Sequence, residues 1–112
     1  MNLDKRVERN VLVLRLSGEL MGGSDAEIFR QTIDQAIQDE NVNVVVDLSK
    51  VNWMNSSGLG MLVSALTTLR SSGGDLVLAS LSERVRRPIV ITKLDTVFRE
   101  FDTSDQAIKS YQ

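Results

Sequence analysis

The sequence predicts an α/β fold: a mixed, mostly parallel β-sheet of about five strands with about four helices, in the order β-β-α-β-α-β-α-β-α. Three observations predict it. Strand signals alternate with helical periodicities, and strands separated by helices of this length need crossover connections and hence parallel pairing. Two short strand signals stand together at the start with a turn between them, which calls for one antiparallel pair. The run Val42 to Leu48 is β-branched and almost continuously apolar, as in a strand central in a sheet.

Each element has its own local reason. Val11 to Leu16 alternates so that Leu12, Leu14 and Leu16 share a face opposite Arg15, and residues 3 to 8 pair with it across a turn at Glu8 to Asn10. Ser17-Gly18 ends that strand. In "MGGSDAEIFRQTIDQAIQ", Ser24 and Glu27 have the spacing of a capping box, and Phe29, Ile33, Ala36 and Ile37 recur as one apolar stripe. A second helix starts near Ser56 or Ser57, buries Leu59, Leu62, Val63, Leu66 and Leu69, and stops at Gly73-Gly74. "DLVLAS" is a strand. "SERVRRPIVITKL" reads as a helix with Val85, Ile89 and Leu94 inward, in which Pro88 costs about 3 kcal/mol and marks a kink or restart. A short strand, Val97 to Phe101, precedes a last helix from Thr103, where Thr103 and Gln106 repeat the capping-box spacing.

A chain of 112 residues predicts one domain, residues 1–112, and its 42% hydrophobic and 25% charged residues are those of a globular protein. No apolar stretch approaches the roughly 18 to 20 residues of a membrane span, and "MNLDKRVERN" lacks the apolar segment of a secretory signal. A cytoplasmic protein with no membrane contact is expected. The absence of cysteine and histidine removes the thiol nucleophile, the imidazole base and the commonest metal ligand, so no cofactor or metal is expected. A net charge of −2 and few aromatics argue against nucleic acid.

The informative stretch is "WMNSSGLG", residues 53 to 60. Glycine in a helix costs about 1 kcal/mol relative to alanine, so Gly58 and Gly60 at the start of a helix call for an offsetting reason. Either the backbone packs closely on a neighbouring strand, or a bare turn admits a partner or a phosphate; the two are compatible. Asn55, Ser56 and Ser57 are all good N-caps, which is the ordinary reading of the serines. Their position allows another: a phosphoserine at a helix N-terminus meets unpaired N–H groups and adds about −1.5 to −2 charges, which would abolish binding of a partner shaped for a neutral hydroxyl. An enzyme built on this turn lacks a base to activate serine, and no Gly-x-x-x-x-Gly-Lys loop is present.

"VDLSKVNWMNSSGLGMLVSAL" resembles the signature of the STAS domain of bacterial anti-sigma factor antagonists, supported by "LRLSGEL" at 14 to 20, "GGDLVLASLSERVRR" at 73 to 87 and "TKLDTVF" at 92 to 98. The resemblance implies the STAS fold, monomeric when free, and partner switching rather than catalysis. The unphosphorylated antagonist binds an anti-sigma factor that is also a serine kinase of the GHKL type, releasing a sigma factor; phosphorylation breaks the complex, and a PP2C-like phosphatase restores it. Carried over by position, the phosphoacceptor is Ser56, with Ser57 second. Asn55, Gly58, Leu59, Gly60 and Met61 join the two serines in the docking surface, beside Gly22, Gly23 and Ser24.

Three positions depart from the family pattern. Asn55 replaces the usual aspartate and Met21 a common acidic residue, so both remove negative charge beside the acceptor; Pro88 interrupts a helix that is usually unbroken. The missing acids also suit a STAS adaptor of a signalling or lipid-transport complex that is never phosphorylated. Trp53 reads as half-buried packing or, less simply, as the rim of the docking surface. Arg84, Arg86, Arg87 and Lys93 read as a solvated face. Asp47 reads as a turn-capping residue after a central strand, with Asp25 and Asp75 unplaced relative to it.

Overall fold

The computed structural model describes residues 1–112 and has the expected element order. The strands are β1 (Asn2–Glu8), β2 (Val11–Leu20), β3 (Asn43–Met54), β4 (Asp75–Ala79) and β5 (Arg99–Phe101); the helices are α1 (Ser24–Gln38), α2 (Ser56–Ser71), α3 (Glu83–Ile91) and α4 (Ser104–Lys109). The strands lie in chain order across one sheet, with β3 at its centre. Only β1 and β2 run antiparallel, joined by a turn in which Arg9 and Asn10 both take positive φ.

Strand periodicity divides the core. Leu12, Leu14 and Leu16 of β2, Val44, Val46 and Leu48 of β3, and Leu76 and Leu78 of β4 face α1, α2 and α3. Val13, Val45 and Val77 point the other way, onto Ala107 and Ile108 of α4. Three successive crossovers of one hand put three helices on one face, and the short C-terminal helix covers the other. The Tyr111 hydroxyl donates to the Val44 carbonyl at 2.9 Å and ties the end of the chain to the central strand.

The boundaries differ from expectation where polar residues mask pairing or turns intervene. β3 begins at Asn43, not Val42, and runs to Met54, because Lys50 to Met54 pair with Ser17 to Leu20 through two register shifts that preserve burial of Val51 and Met54. The capping box at Ser24 does not form. Gly23 at φ 63° is the N-cap, Ser24 is already helical, and the Glu27 carboxylate is taken by Arg30 and Gln31. At Thr103 the cap does form, accepting from the Gln106 N–H, while the Gln106 side chain accepts from the Asp102 N–H.

α3 stops at Ile91, and Leu94 meets the core from a 3-10 turn, Leu94–Thr96, entered through Lys93 at φ 62°. That turn consumes Val97, so β5 starts at Arg99. Pro88 lies inside α3 without restarting it. Gly73 at φ 84° closes α2: its N–H donates to the Arg70 carbonyl and that of Gly74 to the Leu69 carbonyl, the paired bonds of a Schellman motif.

Candidate functional site

The carboxyl ends of β3 and β4 lead into the N-termini of α2 and α3, the edge where open parallel sheets bind ligands. Three N-caps were open at the β3–α2 turn, and Asn55 fills the role. Its extended backbone (φ −96°, ψ −177°) turns Oδ1 onto the Gly58 N–H at 2.8 Å, and its own N–H donates to the Leu20 carbonyl at 3.1 Å. Ser56 and Ser57 are therefore the first two helical residues, exposed and not used for capping. The first turn of α2 contains no acidic residue, so no anion offsets the positive end of its dipole.

The two glycines of the turn have different reasons. Gly58 is buried, and a Cβ there would collide with the Leu20 backbone carbonyl. A Cβ on Gly60 would meet nothing within 4 Å, so packing does not explain that glycine. The β2–α1 loop closes over the turn. Gly22, at φ +80°, stands where a Cβ would lie 2.7 Å from the Cβ of Ser57, which fixes the loop beside the second serine.

The named site residues separate by exposure. Ser56, Ser57, Gly60, Gly23 and Ser24 are exposed and Asn55 is half-buried, whereas Gly22, Gly58, Leu59 and Met61 are buried. Met61 belongs to the buried core cluster beneath the turn. Gly23 and Met61 border a separate groove of about 290 Å³ between α1 and α2, away from Ser56.

Ser56 opens instead onto a groove of about 730 Å³ between the β3–α2 turn and α3. Trp53, Met54 and Leu59 form one wall and Arg84, Arg87, Pro88 and Ile91 the other. Trp53 is 41% exposed and Ile91 71%, so the rim carries large apolar groups in solvent. Arg84, Arg86, Arg87 and Lys93 are all exposed, as a solvated face requires, but the three arginines point to different neighbours. Arg86 pairs with Glu100 of β5 at 3.0 Å, while Arg84 and Arg87 turn into the groove. The overlooked signal is in the spacing: residues 84, 87, 88 and 91 form an i, i+3, i+4, i+7 stripe beside the buried Val85 and Ile89.

Asp47 sits beneath the other sheet face. The residue is 3% exposed, and its carboxylate accepts from the Ser49 N–H at 2.9 Å, the Ser104 hydroxyl at 3.0 Å and Arg15 Nε at 3.4 Å. Burial pushes this carboxyl up, but the hydrogen bonds from Ser49 and Ser104 and the Arg15 charge outweigh it and hold it below the ordinary carboxylate range. This is a structural latch between β3 and α4. Asp75 pairs with Arg70 and Asp25 with the N-terminal ammonium, and no three acidic side chains converge as a metal site would require.

A five-stranded sheet in sequential order, three helices on one face, and a serine-glycine turn at the carboxyl end of its central strand define the class. Residues 2–107 match the STAS domain, and the chain belongs to the STAS domain family. Among curated proteins it is similar to the anti-sigma F factor antagonist of Paenibacillus polymyxa, 30% identical over 111 residues, covering 96% of this chain and 94% of that one. The anti-sigma-B factor antagonist of Bacillus subtilis is 29% identical over 96 residues, 86% of each chain. Among solved structures, an anti-sigma factor antagonist from Mycobacterium paratuberculosis superposes with a TM-score of 0.84 at 28% identity, covering 97% of this chain and 92% of that one. No helix is long and apolar enough to cross a membrane.

Proposed function

We propose that this chain is an anti-sigma factor antagonist that acts as a single cytoplasmic domain, monomeric when free, by partner switching. Unmodified, it docks its β3–α2 turn on an anti-sigma factor that is also a GHKL-type serine kinase, and the sigma factor is released. The kinase then transfers the γ-phosphoryl group of ATP to Ser56: the Oγ–P bond forms, ADP leaves, and the hydroxyl proton passes to a base on the kinase. A PP2C-like phosphatase hydrolyses the ester and restores the hydroxyl. The chain is ligand and substrate throughout, and the kinase supplies the catalytic groups.

One observation carries the reading: Asn55 does the capping, which leaves the Ser56 hydroxyl exposed at the tip of α2. The relatives over nearly the whole chain support the same function. A second reading, a STAS adaptor of a signalling or lipid-transport complex that is never phosphorylated, is favoured by the absence of acid in the first turn of α2. Mass spectrometry after incubation with the cognate anti-sigma kinase and ATP separates them. One phosphate on Ser56 is expected, with loss of the kinase complex, and Ser56→Asp should lose that complex as well. No phosphate on Ser56 or Ser57 supports the adaptor; a Ser56→Asp protein that binds like the parent overturns the switch.

A further inference from the structure

We propose that the groove between the β3–α2 turn and α3 is an intramolecular receptor for a phosphate monoester on Ser56, with Arg84 and Arg87 as its ligands. The biological use of this site rests on the reading of Ser56 as the phosphoacceptor.

Ser56, Arg84 and Arg87 line one continuous groove of about 730 Å³. Seven ion pairs form in the protein, and none includes Arg84 or Arg87, although Arg86 between them is paired. Their i, i+3 spacing sets the two guanidinium groups side by side on the groove face of α3. The charged groups facing the groove are Glu83, Arg84 and Arg87, all from α3; Trp53, Met54, Ser56 and Leu59 on the opposite wall bring no charge. The groove thus carries two positive charges against one negative, beside a helix tip whose first turn holds no acid.

A phosphate on Ser56 would be the anion this surface lacks. Guanidinium groups bind phosphate through paired, charge-assisted hydrogen bonds, and arginine stays charged at every relevant pH. Phosphorylation then does more than add repulsion: it spans the groove, ties α2 to α3, and neutralises the two arginines that have no ion-pair partner there. The negative charge missing at Asn55, directly before the acceptor, is thus matched by cations across the groove from Ser56.

The test is independent of any kinase. Phosphoserine is incorporated at position 56 during translation, and the phosphate is titrated by phosphorus NMR in the full chain. With both arginines present, the second pKa is expected at least about 0.5 below the value near 6 of an unperturbed phosphoserine. Arg84→Gln/Arg87→Gln should return it to that value, Arg84→Lys/Arg87→Lys should restore part of the depression, and Glu83→Gln should deepen it. Both arginines are exposed, and circular dichroism confirms that each variant is folded. Equal pKa values in the parent and the double glutamine variant overturn the receptor while leaving the proposed function standing. Failure of the kinase to modify Ser56 overturns that function while leaving this titration as it is.

Discussion

The Asn55 side chain accepts a hydrogen bond from the Gly58 N–H at 2.8 Å, and this contact decides what the neighbouring serines are free to do. If either serine were the cap, its hydroxyl would be tied to the backbone. Asn55→Ala is expected to cost about 1 kcal/mol, the usual value for an N-cap. Asn55→Asp keeps the cap and adds a charge at the positive end of α2, so it should stabilise by about 0.3–1 kcal/mol at low salt. Urea unfolding of the two variants at low and high salt checks both signs. An aspartate variant less stable than the parent at low salt contradicts the geometry.

Gly58 and Gly60, two residues apart in one helical turn, should respond oppositely to alanine. At Gly58 the new methyl meets the Leu20 carbonyl, a backbone atom of the adjoining strand that has no rotamer to yield, so a loss of about 1–3 kcal/mol is expected. At Gly60 the space is open and the backbone helical, so alanine should gain about 1 kcal/mol. Thermal unfolding of both variants is the measurement. A stable Gly58→Ala protein would remove the close approach of α2 to β2 from the account of the turn.

These glycines show how far the sequence could be read. Spacing and chemistry located the turn, the five strands and the parity of their faces, because each depends on neighbours along the chain. Which glycine is packed and which is bare depends on Leu20, more than thirty positions away, and no local pattern carries that. Ser24 to Glu27 had capping-box spacing, yet positive φ at Gly23 placed the helix start one residue early and put Ser24 inside it. The groove is hidden from the sequence for a related reason. Arg84, Arg86 and Arg87 look alike in sequence, and only the position of Glu100 on β5 draws Arg86 away from the other two.

Asp47 makes a prediction about pH. Its carboxyl is held below the ordinary value near 3.9, so the stability it contributes is fully present above about pH 4 and is lost as pH falls through the lower, folded-state value. Asp47→Asn weakens the latch to Ser104 and Arg15 and should cost about 1–3 kcal/mol at pH 7. The gap between parent and variant should narrow below about pH 4. Denaturant unfolding of both proteins at pH 7 and pH 3 tests this; curves separated equally at both would mean that the carboxylate is not held in its ionised form by the fold.

Trp53 is the only tryptophan, it is 41% exposed, and it shares a groove with Ser56. An indole in that position is a poor investment for stability, since much of its apolar surface still faces water, but it is the residue type that anchors protein interfaces. Trp53→Ala should therefore change folding stability by less than about 1 kcal/mol while weakening association with the anti-sigma factor about tenfold or more. Replacing Trp53 by 5-fluorotryptophan gives a fluorine resonance that reports on the groove alone, with the partner's own indoles silent. It is expected to shift when the partner binds the unmodified chain. A resonance that stays in place while the complex forms would put the interface on the other side of the turn, toward Gly23 and α1, and would separate partner binding from the groove that Ser56 faces.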